Sequence, residues 1–361
     1  MARLKVGFIG CGGIANGKHL PALKALNRVD IVAFCDLILE KAEKAAKEYG
    51  TPDAKVYTDY KELLKDESID VIYVMTPNRS HAPISIDAMK AGKHVMCEKP
   101  MAKTAAEARE MVKTAKETGK KLTIGYQHRH KTESHYVKSV IDRGDLGEIY
   151  YAKALAIRRR GTPNWGVFLN EYEQGGGPLI DIGTHSLDVT LYLMNNYKPK
   201  MVVGTKYKMV ENADQGNPWG GWAEGENTLE DAAFGFIVME NGATITLDAT
   251  WALNTDSPIS EGSCDLCGSK AGASIRPDRV VINKVEFDRQ EEIIPSMAAG
   301  GVAFYDGVKT TPPITEQITW LNAIENDTDP VVLPEQACVV SEILEAIYTS
   351  AKTGEPVYFD R

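Results

Sequence analysis

The chain has 361 residues, more than one hydrophobic core usually organises, so two domains are expected. Hydrophobic residues make up 43% and charged residues 25%, as in an ordinary globular protein, and the net charge is −9, from 41 basic and 50 acidic side chains. That balance excludes a surface built for nucleic acid or for an anionic membrane, since either needs clustered Lys and Arg, and the one dense basic cluster is Arg158-Arg159-Arg160.

From its first residues, MARLKVGFIG, the sequence runs into a strand pattern without a signal-peptide core. No apolar run reaches the roughly 20 residues that span a bilayer. The six cysteines, Cys11, Cys35, Cys97, Cys264, Cys267 and Cys338, are scattered and read as reduced core residues. A cytoplasmic protein is expected. Cys264 and Cys267 form a single C-x-x-C; a zinc ribbon needs a second pair, so no metal site is expected.

The first third alternates strand and helix signals. LKVGFIG, VDIVAFCD, AKVYT, IDVIYVMT, KHVMCEK and KLTIGY are short apolar runs that predict strands. LEKAEKAAKEYG and TAAEAREMVKTAKETG predict helices, each stopped by Gly. Apolar strands separated by helices imply a doubly wound parallel sheet covered on both faces. The pattern changes near Tyr126, which sets the expected domains at 1–126 and 127–361. HKTESHYVKSVIDRGDLG predicts a crossover helix. EIYYAKALAIRRR, PKMVVGTKYKMV, EDAAFGFIVM and ATITLDATWAL have strand character, and Asn241-Gly242 between two of them is a hairpin signal. ITEQITWLNAIEN and PEQACVVSEILEAIYTSAKTG predict two closing helices. The expected second domain is an open, mostly antiparallel sheet with helices on one face. Its outer face has no second layer evident in sequence, which predicts a homodimer or homotetramer through that sheet.

LKVGFIGCGGIA places Gly10-Cys11-Gly12-Gly13-Ile14-Ala15 at a strand-to-helix junction, a G-x-G-x-x-A pattern. Gly10 permits the tight turn, Gly12 lets backbone approach a pyrophosphate, and Ala15 allows close helix–strand packing. Gly13 and Ile14 open the helix whose N-terminal amides would hold the phosphates. The second strand ends at Asp36, which can accept both ribose hydroxyls and would repel a 2′-phosphate. Leu37, Ile38 and Leu39 follow with no Arg, so NAD is expected over NADP. The ends of the fourth and fifth strands read MTPNRSHAP and CEKP. They should place Thr76, Asn78, His81, Glu98 and Lys99 toward the cofactor. A bland reading of His81, as a polar residue in the first turn of a helix, stands beside that one. Tyr126, Gln127 and His128, after the sixth strand, should line the same cleft.

Lys99 would sit beside the nicotinamide, where an amine can exchange a proton with a hydroxyl or carbonyl. The stretch GGGPLIDIGTHSLD carries Asp181 and His185 four residues apart, then Asp188. On an α-helix, at about 100° per residue, these and Tyr192 fall within about 60° of one another, as a narrow polar stripe with apolar borders. Such a stripe needs partners. A metal shared by Asp181 and His185, a structural hydrogen-bonded pair and a catalytic pair all fit the spacing; no further ligand spacing supports the metal. Glycines 175–177 would let backbone approach a ligand there.

GFIGCGGIA, TPNRSHAP, CEKP and GGGPLIDIGTHSLD occur in the order found in the Gfo/Idh/MocA oxidoreductases, the family of glucose–fructose oxidoreductase and inositol dehydrogenase, which the chain resembles over most of its length. The resemblance implies hydride transfer between a ring carbon of a sugar, sugar derivative or cyclic polyol and nicotinamide C4. It implies that Lys99, Asp181 and His185 surround the substrate carbon. His185 would accept the hydroxyl proton, Lys99 would bond the same hydroxyl, and Asp181 would orient substrate or base. RRRGTPNWGVF, residues 158–168, is similar to the branch acting on glycosides, anhydro-sugars and anhydro-sialic acid. There Trp165 would stack on a sugar or the cofactor, and Arg160 would meet the substrate, as would His128. The alternatives are a redox-neutral NAD-dependent hydrolase or lyase with transient oxidation, and a non-catalytic cofactor sensor.

Overall fold

In the computed structural model the apolar runs of the first third become six parallel strands. They are β1 (Leu4–Ile9), β2 (Val29–Cys35), β3 (Lys55–Tyr57), β4 (Val71–Val74), β5 (His94–Cys97) and β6 (Leu122–Ile124). Their order, β3-β2-β1-β4-β5-β6, is that of a doubly wound dinucleotide-binding sheet. The structure describes residues 3–223, 225–277, 279–297, 304–305 and 308–359. Helices α1 (Leu20–Leu26), α2 (Leu39–Tyr49), α3 (Tyr60–Leu64), α4 (His81–Lys90) and α5 (Ala105–Thr118) connect the strands. All four residues of β4 are buried, which is why the run is apolar without alternation. Phe8 and Tyr73 stack at 4.8 Å in the core of this sheet. Thr104 and Glu107 close a capping box at the start of α5, and Gly119 ends it in the left-handed conformation.

The second unit holds α6 (Thr132–Asp142), β7 (Ile149–Ile157), α7 (Glu171–Gln174), α8 (Thr184–Met194), β8 (Pro199–Tyr207), β9 (Ala232–Met239), β10 (Thr244–Thr250), β11 (Ile259–Gly268), β12 (Ala271–Arg276), β13 (Arg279–Glu286) and β14 (Arg289–Ile293). Further along come the short pair β15 (Phe304–Tyr305) and β16 (Val308–Lys309), then α9 (Pro312–Glu325), α10 (Pro334–Thr353) and β17 (Val357–Tyr358). Nine strands form a sheet in the order β14-β13-β12-β11-β7-β10-β9-β8-β17. Every pair is antiparallel except β7 with β10. The predicted hairpin forms: Gly242 has φ +86°, and Asn241 Oδ1 accepts from Ala243 N. Cys264 and Cys267 lie three residues apart on β11, so they point to opposite faces.

One face of this sheet carries helices. A Cβ at Gly204 on β8 or Gly235 on β9 would lie 2.6 Å from Ile347 of α10, so glycine at both positions lets the helix rest on the strands. Ser186 on α8 donates to Leu155 O and accepts from Gly262 N, tying the helix to β7 and the segment of β11. On the opposite face Val203, Phe236, Thr246 and Lys153 stand side by side in register. Val203 is 37% and Phe236 45% exposed.

Two compact units result: Met1–His130 with Gly301–Cys338, and Lys131–Gly300 with Val339–Arg361. The first therefore runs past the expected boundary at residue 126, and it also takes α9 from late in the chain. Ala22 and Leu26 of α1 pack against Ile314 and Ile318 of α9, and Arg28 bonds Asn322 and Glu325. A local change of pattern marks where one sheet ends. It carries no sign of a helix that returns some two hundred residues later.

Candidate active site

The glycine loop has the properties a dinucleotide needs. Gly10 has φ +93°, and a Cβ there would lie 2.4 Å from Met75 O, so only glycine fits. At Gly12 and Gly13 a Cβ would meet nothing within 4 Å, which leaves the backbone open to a ligand. Asn16 Nδ2 donates to Cys11 O and Gly12 O. The helix then passes through a π-helical turn, Ala15–His19, before α1. Asp36 closes the rim of the loop: Oδ2 accepts from Cys11 N and Oδ1 from Ile38 N, both at 2.9 Å. Ile14, Leu37 and Ile38 are large, apolar and exposed beside it. Open amides for a pyrophosphate, a carboxylate for a ribose and an apolar ledge for a flat base fit NAD.

Thr76 and Asn78, after β4, are half-buried, as are Lys99, in a cis peptide with Pro100, and Gln127. Three neighbours depart from expectation. His81 does not project toward a ligand. Its ring is 1% exposed, with Nδ1 2.7 Å from Pro100 O and Nε2 2.8 Å from Thr76 O. Burial pushes its pKa down, against the pull of the two carbonyls. It fastens the start of α4 to the two strand ends, as the bland reading had it. His128, expected in the cleft, is 3% exposed within the short turn Gln127–His130, and Tyr126, expected there with it, is fully buried.

Glu98 is the larger correction. Its carboxylate turns into the core of the unit. Oε1 accepts from Lys18 Nζ at 2.9 Å and from His19 Nε2 at 2.7 Å, and Oε2 accepts from Lys99 N at 3.0 Å. Lys18 Nζ also lies 3.0 Å from Glu316 Oε2. Tyr73 donates to Gln317 Oε1, so the Gln317 amide is left to donate to His19 Nδ1 at 3.0 Å. That fixes the proton of a neutral imidazole on Nε2, facing Glu98. Burial alone would push the Glu98 carboxyl up, but Lys18 and His19 outweigh it and hold it well below its usual range. A Cβ at Gly125 would meet Glu98 Oε1 at 2.9 Å, which accounts for that glycine. Sequence reasoning missed this network. Its signals were Lys18-His19 placed just before the apolar LPAL, and Glu316-Gln317 placed before ITWL.

In the second unit Asp181 lies in another π-helical turn, Leu179–Gly183, that leads into α8. π turns within helices recur at functional sites. A wheel drawn at α-helical spacing does not carry across this turn. The narrow stripe is also absent, because α8 is buried almost all round: Thr184, Ser186 and Thr190 are 0% exposed along with Asp188. His185 is 5% exposed, and Tyr192 is half-buried. Asp181 Oδ2 accepts from Trp251 Nε1 at 3.0 Å. Trp251 packs with Ala156, Ile182 and Leu229, and Phe168 lies against that cluster. Turn and packing requirements of the chain itself account for glycines 175–177. Gly175 ends α7 at φ +84°, a Cβ at Gly176 would lie 2.1 Å from the Tyr348 hydroxyl, and one at Gly177 would lie 2.9 Å from Glu230 O. Glu230 Oε1 accepts from Gly177 N and Tyr348 OH.

Trp165 is 48% exposed, with its ring edge-on to Phe168 and Trp219. The arginines are engaged by their own surroundings. Arg158 lies 5.5 Å over the Trp219 ring and pairs with Glu261, while Arg160 donates to Arg159 O and Asn254 Oδ1. No group of three or more metal-ligating side chains comes together among the described residues.

Comparison with known proteins places these features in a family. The NAD-binding Rossmann domain of the Gfo/Idh/MocA oxidoreductases matches residues 4–126, and the C-terminal alpha/beta domain of the same family matches residues 138–359. The chain belongs to that family and is an NAD-binding oxidoreductase. It is 33% identical to D-glucoside 3-dehydrogenase of Escherichia coli (strain K12) over 354 residues, 98% of this chain and 97% of that protein. It is 30% identical to inositol 2-dehydrogenase of Salmonella paratyphi B (strain ATCC BAA-1250 / SPB7) over 352 residues, 95% of this chain and 97% of that one. The structure of levoglucosan dehydrogenase in complex with NADH has the same fold, with a TM-score of 0.82 over 99% of both chains at 21% identity.

Proposed function

We propose that this enzyme oxidises a hydroxyl-bearing ring carbon of a glycoside, anhydro-sugar or cyclic polyol, or reduces the matching ketone. The observation that carries this reading is likeness over nearly the whole chain to a glucoside 3-dehydrogenase, in a protein that has the CEKP and D-x-x-x-H positions. Gly10, Gly12, Gly13, Ile14 and Asp36 hold the adenosine and pyrophosphate portion of NAD, and Thr76, Asn78, Lys99 and Gln127 attend the rest. When bound, NAD supplies a hydride acceptor at nicotinamide C4. Lys99 hydrogen-bonds the substrate hydroxyl and His185 takes its proton. Asp181, fixed by Trp251, orients substrate or base. Trp165 offers a ring face to the sugar. The negative charge of the Asp36 carboxylate selects NAD over NADP.

All six cysteines are free thiols, five of them buried, which supports a reducing, cytoplasmic setting. The exposed Val203–Phe236 row supports a homodimer or homotetramer through the outer sheet face.

The test is a screen of methyl glucosides, anhydro-sugars and inositols with NAD, read as NADH absorbance. One class should turn over, and Lys99→Ala and His185→Ala should each lower kcat/KM by roughly 10²–10⁴-fold. Full activity in either variant overturns the assigned chemistry. Turnover without net NADH overturns simple dehydrogenation.

A further inference from the structure

A cavity of about 460 Å³ opens in the second unit among Asn164, Asn170, Glu171, Tyr172, Glu226 and Thr228. None of these residues has a part in the chemistry above. The volume falls within the range of small-molecule sites. Three polar groups on its wall have unused capacity. Asn164 gives its amide nitrogen to the carbonyls of Trp219, Gly220 and Gly221, which leaves Oδ1 uncommitted. Asn170 Oδ1 caps α7 and accepts from Tyr172 N and Glu173 N, which leaves Nδ2. The Glu226 carboxylate accepts from Ala223 N through one oxygen. The lining contains no Lys, Arg or His, and its two carboxylates disfavour an anion.

Exposed aromatic rings accompany these groups. Tyr172 is 66%, Trp165 48% and Trp219 44% exposed. Of these Tyr172 lines the cavity, and Trp165 adjoins the lining residue Asn164 in sequence; partly exposed rings, together with amides, a hydroxyl and carboxylates, make a surface for the apolar faces and hydroxyls of a neutral sugar. The segment is not a loose flap. Phe168, between the lining residues Val167 and Leu169, packs on the cluster of Ile182 and Trp251, and Trp251 bonds Asp181. A ligand on this wall would share a rigid support with a proposed substrate residue.

We infer that this cavity is a second glycosyl subsite, which binds the sugar or aglycone joined to the ring that is oxidised. The enzyme would thus prefer a disaccharide or an extended glycoside to a monosaccharide. The inference rests on the sugar-dehydrogenase reading, and its test keeps the two separable. Methyl β-glucoside, cellobiose and maltose are compared by kcat/KM and, independently of turnover, by tryptophan fluorescence on titration. At least one disaccharide should bind and react about tenfold better than the methyl glucoside, as one or two added hydrogen bonds would give. Glu171→Ala with Thr228→Val, two exposed positions, should remove that advantage and leave methyl glucoside turnover within about twofold. Equal use of mono- and disaccharides overturns the subsite, as does an equal loss on both in the double variant. If no sugar is oxidised yet disaccharide quenching persists and the variant abolishes it, the subsite stands and the dehydrogenase reading falls. A change of assembly mass in the variant, by light scattering, overturns the sugar reading in favour of contact with a second copy.

Discussion

Lys18 and Glu98 form an ion pair at 2.9 Å in which each side chain is only 7% exposed. The same Glu98 carboxylate accepts the Lys99 amide. The core of the first unit and a proposed catalytic residue therefore meet on one carboxyl group. Glu98→Gln keeps the shape and removes the charge, which leaves Lys18 with Glu316 alone. Breaking a buried pair from one side costs about 3–5 kcal/mol. Denaturant unfolding of the variant should show a loss of that order. Stability within about 1 kcal/mol of the parent would mean that the pair contributes little.

The same pair sets a pH window. Glu98 is held well below its usual range, so its contribution is present above the ordinary carboxylate range and is lost as pH falls through its folded value. For Lys18, burial would lower the pKa, but Glu316 and Glu98 outweigh it and raise it from 10.5. Its contribution is present below that value and is lost as pH rises through the folded one. Unfolding free energy should therefore hold from mild acid to the ordinary lysine range and fall on both sides. In Glu98→Gln the acid limb should flatten. An unchanged acid limb would assign acid sensitivity to other carboxylates.

Asp36 is bound at both oxygens to backbone amides of the nucleotide loop. Asp36→Ala should raise the Kd for NAD by about ten- to a hundredfold, the value of hydrogen bonds to a charged group. Removing the negative charge should also narrow the gap between NAD and NADP. Isothermal titration with both cofactors reads this directly. A proportional loss for the two would show that Asp36 braces the loop without selecting the cofactor.

What the sequence made legible follows from periodicity and backbone chemistry. The six strands, the Gly10 turn and the Asn241-Gly242 hairpin are local features, and each reads out of its own few residues. What it hid follows from tertiary contact. Glu98 and Lys99 are adjacent at a strand end, where successive side chains point to opposite sides, so both could not face one ligand. Glycines 175–177 fit a ligand loop equally well until Tyr348 and Glu230 are seen packed on Gly176 and Gly177. The α8 stripe presumed unbroken α-helical spacing, and the π turn at Leu179–Gly183 interrupts it. Lys18, His19, Glu316 and Gln317 explain one another only when α9 returns to the first unit.

The outer sheet face gives a test of assembly. Val203 and Phe236 are directly paired and exposed on adjoining strands. Changing both to Asp places two charges on what is proposed as an interface, while leaving the helix-covered face untouched. Light scattering at micromolar protein should show the parent as a dimer or tetramer and the variant at lower mass, with its NAD affinity retained. A parent that runs as a monomer, or a variant of unchanged mass, would remove this face from the assembly.

Trp251 and Asp181 allow positioning to be separated from packing. Trp251→Phe keeps most of the ring against Phe168, Ile182 and Leu229 but deletes the donor 3.0 Å from Asp181 Oδ2. A hydrogen bond to a charged acceptor is worth about 1.5–3 kcal/mol, so kcat/KM for the sugar should fall roughly ten- to a hundredfold. The NAD affinity should not move, because Trp251 is not among the residues proposed to hold the cofactor. Stability should drop by only about 1–3 kcal/mol, since the change shortens one core side chain. If Trp251 acts through packing alone, unfolding will show the loss and kcat/KM will stay within about twofold. A parallel Asp181→Asn variant sharpens the comparison. When the hydrogen bond acts through Asp181, adding Trp251→Phe to Asp181→Asn should cost little further activity, the non-additivity expected of two residues in one contact.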